Sequence, residues 1–155
     1  IKIEKILSSH SMIESFSIFR KFPSTLKIDV KKTKILANRY IDGQNFLIGS
    51  NGKLIRSKKK IDDIPSVFGN FDNKEFLKIK EMIDATKLVY KDIDSIYYFD
   101  SKRWDIKMKD GILIKLPNKK ALSALKFAVN LLSTKKFKDI KIIDTRIKNQ
   151  IILNE

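Results

Sequence analysis

The stretch RWDIKMKDGILIKL, Arg103–Leu116, decides the fold. Trp104, Ile106 and Met108 alternate with polar residues, and Ile112, Ile114 and Leu116 resume the alternation after Asp110-Gly111. A period of two puts the apolar set on one face of a strand. The Asp-Gly pair tolerates the positive φ that a tight hairpin turn demands. The stretch reads as an antiparallel hairpin whose apolar face meets a core. Nothing in it is chemically reactive, so it belongs to a sheet that holds something.

Working outward, Ile93–Phe99 is a second extended run, with Ile93, Ser95, Tyr97 and Phe99 on one side and Asp94, Ile96 and Tyr98 on the other. Ahead of it, Asp72 and Glu75 have the spacing of a capping box for a helix over 73–88, with Phe76, Ile79 and Ile83 toward the sheet. Beyond the hairpin, Asn118 is the expected N-cap of a helix over 119–132 carrying Leu122, Leu125, Val129 and Leu132. The chain then closes on an expected terminal strand from Ile140 to Leu153, with a polar interruption at Lys148–Gln150. Asp144 and Arg146 share the face of Ile140 and Ile142, while Ile143, Thr145 and Ile147 lie on the other. A terminal strand is a natural sheet edge with one unpaired row of N–H and C=O groups. Such an edge can accept a strand from another protein.

Toward the N-terminus, Ile64–Gly69 is a brief extended piece that Pro65 restricts to a strand start or a sheet edge. Ser57–Asp63 has no apolar period and reads as a loop. Asn51-Gly52, between Asn45–Ser50 and Lys53–Arg56, is a strong hairpin signal, and Ile35–Ile41 is a further strand. Earlier still, Phe16 and Ile18 pair with Leu26, Ile28 and Val30 across a turn at Pro23-Ser24, after a helical face of Ile3, Ile6 and Leu7. The expected fold class is α+β: a mainly antiparallel sheet with two flanking helices over 34–155. Before it, residues 1–33 form the closing part of a small α+β unit. The chain opens at Ile1 without an initiator methionine and reads as a fragment, and it has neither a span of roughly 18 apolar residues nor a signal-peptide pattern.

The 155 residues carry a formal charge of +15 with no cysteine, one histidine and five glycines. Without cysteine there are no disulfides, no thiolate catalysis and no common structural zinc site. His10 is a surface residue rather than a metal ligand, and the carboxylate pairs Asp62-Asp63 and Asp92/Asp94 lack a nucleophile, base or phosphate loop beside them. The expectation is a protein that is not an enzyme and takes no cofactor or metal. The cations are dispersed rather than gathered in one block, which weakens a nucleic-acid reading. That alternative would be a basic module stacking bases on Tyr97, Tyr98, Phe99 and Trp104.

In order, five motifs are similar to those of the division protein family FtsQ, called DivIB in Gram-positive bacteria. Phe16–Ile28 (FSIFRKFPSTLKI) resembles the end of the family's POTRA domain, apolar-x-apolar-Arg-x-aromatic-Pro-x-x-Leu-x-Ile. Asn51–Ile55 resembles its small Gly-x-apolar hairpin, and Ile64–Gly69 its Ile-Pro-x-apolar-x-Gly. Trp104–Leu116 with the following helix resembles its Trp strand, Gly turn, return strand and helix, and Ile143–Arg146 its closing apolar-Asp-x-Arg. After Arg146 the chain departs from the family, with Ile147, Gln150 and Glu155 where an aromatic, a glycine and a late Trp are common.

The resemblance implies a POTRA remnant over 1–33 and an FtsQ-type β domain over 34–155. It implies a divisome scaffold rather than a catalyst, with FtsB and FtsL as partners and other division components reached through the POTRA domain. Strand addition by FtsB would occur at the C-terminal edge, Ile143 to Leu153. The expected partner-binding residues are Lys102, Arg103, Ile143, Thr145, Arg146, Ile147, Asn149, Ile151 and Leu153, with Lys102, Arg103 and Arg146 facing acidic residues of FtsB. The family is anchored in the bacterial inner membrane by one upstream helix, so the resemblance places this portion on the periplasmic side at the division septum.

Overall fold

The computed structural model describes residues 2–134, 139–147 and 152–154. Helix α1 (Lys2–Ser9) leads into an antiparallel pair, β1 (Ile13–Lys21) and β2 (Thr25–Lys32). All of β2 is exposed and α1 buries no side chain. The paired residues Phe16/Val30 and Ile18/Ile28 share one face, so the pattern of the sequence makes a hairpin whose apolar side has little to pack on.

Among the described residues, the rest is one nine-stranded sheet with two α-helices. Its strands are β3 (Ile35–Ile41), β4 (Gln44–Gly49), β5 (Leu54–Arg56), β6 (Ser66–Phe68), β7 (Ile93–Phe99), β8 (Arg103–Met108), β9 (Leu113–Lys115), β10 (Ile142–Asp144) and β11 (Ile152–Asn154). The spatial order is β11-β10-β9-β8-β7-β6-β3-β4-β5. Helix α2 (Asn73–Asp84) crosses from β6 to β7, and α3 (Ala121–Ser133) from β9 to β10. Both crossovers join parallel neighbours, as a helix-length connection allows. The remaining sequential pairs are antiparallel hairpins, so the fold is α+β with a mostly antiparallel sheet.

Register explains the core. Val67, Ile96, Ile106, Ile114 and Ile143 lie opposite one another across five adjacent strands, each at most 1% exposed. Phe76, Ile79 and Ile83 of α2 and Leu125, Ala128 and Val129 of α3 cover this row. Burying each large apolar side chain is worth about 2 kcal/mol. The capping box forms as expected: Asp72 accepts from Lys74 N at 3.0 Å and Glu75 from Asp72 N at 3.0 Å.

Several local expectations differ from the structure. A bulge between Ile93 and Ser95 shifts the alternation, so Ile93 is buried with Ile96 rather than grouped with Tyr97. Pro65 immediately precedes β6, the strand start that was one of its two expected placements, and β6 is central and parallel to both β3 and β7. Asn118 does not cap α3, whose N-cap is Lys120 at φ 61° without a side-chain cap bond. The terminal strand is two strands, β10 and β11, antiparallel to each other.

Candidate partner-binding edge

The face of the sheet away from the helices carries a second row, one residue along from the core row. Phe68, Tyr97, Asp105, Lys115, Asp144 and Ile152 lie opposite one another from β6 to β11. Phe68 and Tyr97 are stacked with centroids 5.3 Å apart. The next three form an acid, base, acid ladder on adjacent strands, the arrangement that favours cross-strand attraction. Ile152, 42% exposed, ends the row on the outermost strand.

Two arginines extend this ladder from positions two residues along the same strand face. Arg103 Nη1 donates to Asp105 Oδ1 at 2.7 Å, and its guanidinium lies over the Phe99 ring at 4.0 Å. Arg146 donates through Nε to both carboxylate oxygens of Asp144, at 2.8 and 3.0 Å, and again through Nη2. The Arg146 backbone N–H adds a bond to Asp144 Oδ1 at 3.1 Å. These bonds hold the Asp144 carboxyl below its usual value and raise the Arg146 guanidinium. Asp105 shifts the other way: burial pushes it up, against the opposing pull of Arg103, Arg146 and Lys115.

The expected site residues therefore separate. Arg103 and Arg146 stand on the open face, each held by an aspartate, and Ile147 is 46% exposed just beyond β10. Lys102 sits at φ 58° in the turn between β7 and β8, its N–H bonded to Phe99 O at 2.8 Å. Thr145 serves the fold, since both its N–H and its Oγ1 donate to Lys115 O, at 3.0 and 2.7 Å. Ile143 is wholly buried and its strand is paired on both sides, to Ile114 and to Leu153, so it lies in the core behind the edge. The backbone of Leu153 belongs to the outer strand. Asn149 and Ile151 lie outside the described residues.

Asp105, Lys115 and Ile152 complete the row and were not among the expected site residues. The signal for Asp105 was its i+2 spacing from Arg103 on an alternating strand, which puts both on one face. The aromatic face of the nucleic-acid reading does not assemble. Tyr98 and Trp104 pack on the helix side with Phe71, their own centroids 4.6 Å apart, whereas Tyr97 and Phe99 lie on the open side. His10 accepts from Met12 N at 3.2 Å, and among the described residues no three carboxylate or imidazole groups converge.

Residues 38–146 match the family model described as the C-terminal region of cell division protein FtsQ/DivIB. The chain is 28% identical to the cell division protein FtsQ of Rickettsia bellii over 159 residues, covering 99% of this chain and 59% of that protein. It is 28% identical to the FtsQ of Rickettsia prowazekii over 162 residues, covering 100% and 60%. To the FtsQ of Caulobacter vibrioides it is 26% identical over 107 residues, 68% of this chain and 35% of that protein. The chain thus spans about three fifths of the length of the Rickettsia relatives. Among solved structures, the major extracytoplasmic domain of the trans isomer of DivIB from Geobacillus stearothermophilus superposes with a TM-score of 0.49 at 17% identity, over 69% of this chain and 98% of that one.

Proposed function

Since this chain belongs to the FtsQ/DivIB family of cell division proteins, we propose that it is a non-enzymatic divisome scaffold whose strand β11 receives a strand of an FtsB-like partner. The observation that carries this reading is the contrast between the two ends of the sheet. At one end β5 is followed by Lys58, Lys59 and Lys60 and includes Arg56, all exposed, and edge cations deter strand pairing. At the other end β11 offers Ile152, half exposed, and among the described residues it pairs with β10 alone. Main-chain bonds at such an edge supply affinity, and side-chain pockets supply choice of partner.

Arg103, Arg146 and Lys115 give the neighbouring open face a positive balance over Asp105 and Asp144, and Lys102 adds a cation in the adjoining turn. An acidic partner segment fits there, where charge fixes register and speeds association more than it adds affinity. FtsB, with FtsL beside it, is the partner that family membership suggests. The exposed apolar face of the β1–β2 hairpin supports the reading of residues 1–33 as a POTRA remnant, through which other division components would be reached. The same reading places this portion on the periplasmic side of the inner membrane at the septum, behind an anchor upstream.

Titrating the chain with a fluorescent peptide of FtsB's extracytoplasmic sequence tests the proposal. Ile152→Lys puts a cation on the exposed edge, so stability should stay within about 0.5 kcal/mol. Affinity should fall at least ~10-fold, about 1.4 kcal/mol. Equal affinity in the parent and the variant, or no saturable binding by the parent, would refute it.

A further inference from the structure

The N-terminal unit, α1 with β1 and β2, contributes no side chain to the apolar core, which begins at Leu36 among the described residues. Two packed units normally hold their angle through shared apolar surface, and without it relative motion is the default. Here a dense polar set crosses the junction instead, and it converges on one turn. Glu14 of β1 accepts from Ser50 Oγ at 2.7 Å and from Thr33 Oγ1 at 2.9 Å. The Asn51 amide donates to two carbonyls on the far side, Ser11 O at 2.9 Å and Ile13 O at 3.0 Å. Lys53 Nζ reaches the C-terminal end of α1, donating to Ser8 O and to His10 O at 3.4 Å.

The turn itself is braced to make these contacts. Asn51 Oδ1 accepts from Lys53 N at 3.0 Å, Ser50 N donates to Lys34 O at 2.8 Å, and Lys34 N donates to Ser50 Oγ at 3.0 Å. Gly49 is required by proximity: a Cβ there would stand 2.7 Å from Asn51 Oδ1 and 2.8 Å from Thr33 Oγ1. The Asn-Gly pair could have closed the β4–β5 hairpin with any solvent-facing side chain. Instead its asparagine turns inward and satisfies main-chain acceptors that belong to the other unit.

We infer that the Ser50–Lys53 turn is a clasp that fixes the angle between the N-terminal unit and the β domain, with Asn51 and Glu14 as its positioning residues. The exposed apolar face of β1–β2 and the β11 edge then move as one body, so a partner on one surface meets the other at a set orientation. The clasp is polar throughout and can release without exposing core. This inference stands whichever partner occupies the edge.

The chain has no native cysteine, so nitroxide labels at Ser17→Cys on β1 and Lys78→Cys on α2, both exposed, report the angle by pulsed electron–electron double resonance. The parent should give one narrow distance distribution, and Asn51→Ala combined with Glu14→Ala should broaden it at least twofold. Glu14→Ala alone, which substitutes no residue of the β domain, should broaden it in part and carries the test if the double variant does not fold. A parent distribution already as broad as the variants', or variants as narrow as the parent, would overturn the inference.

Discussion

Asp105 and Asp144 flank Lys115 on the same sheet face, and their carboxyls move in opposite directions. For Asp144 the bonds from Arg146 dominate and lower its pKa, whereas for Asp105 burial dominates and raises it. The consequences for stability have opposite signs. A lowered carboxyl stabilises the fold above its unfolded pKa, and this is lost as pH falls through the folded value. A raised one favours the fold below its unfolded pKa, and that is lost as pH rises through the folded value. Asp144→Asn should therefore cost about 1–2 kcal/mol at neutral pH, with the deficit closing toward acid. Asp105→Asn should compare better with the parent as pH rises from acid to neutral. Urea unfolding across the carboxylate range checks both, and deficits that run parallel with pH would contradict the assignment.

At the scale of elements, the parallel crossover from β6 to β7 depends on how β6 and α2 are joined. Gly69 follows β6 at φ +115°, and a Cβ there would collide with the Tyr98 carbonyl oxygen. Gly69→Ala should cost at least about 1 kcal/mol, because the residue can neither adopt the conformation nor find the space. Asp72→Ala should cost about 1 kcal/mol through the lost cap. Thermal melts of both variants test this, and a Gly69→Ala protein as stable as the parent would contradict the geometry. Much of this layer was legible in the sequence. Alternation gave the Arg103–Leu116 hairpin, helical spacing gave Phe76, Ile79 and Ile83, and the Asp72/Glu75 pair gave the cap. What was not legible depended on partners distant in the chain. Nothing in Ser66–Phe68 says that it is central rather than peripheral, since Pro65 is compatible with either once it precedes the strand. The bulge at Ile93 is set against the neighbouring strand, and the polar interruption at Lys148–Gln150 does not by itself say that β11 pairs antiparallel with β10 instead of continuing it.

For the whole molecule, the site was legible as a face more than as an edge. Arg103 and Arg146 fall on one side because strands alternate, and the structure adds the aspartates that hold them. Ile143 could not be told from an edge residue by its own neighbourhood, because the strands that flank it, β9 and β11, are set by pairing and not by its chain neighbours. If β11 accepts the partner's strand, amide hydrogen exchange at residues 152–154 reports it. On saturation with the FtsB peptide, the amides of β11 that face away from β10 should slow by at least ~10-fold, as new main-chain hydrogen bonds require. The β5 amides should not change. Unchanged exchange in β11 with the peptide bound, or protection at β5 instead, would mean that the peptide does not add to this edge.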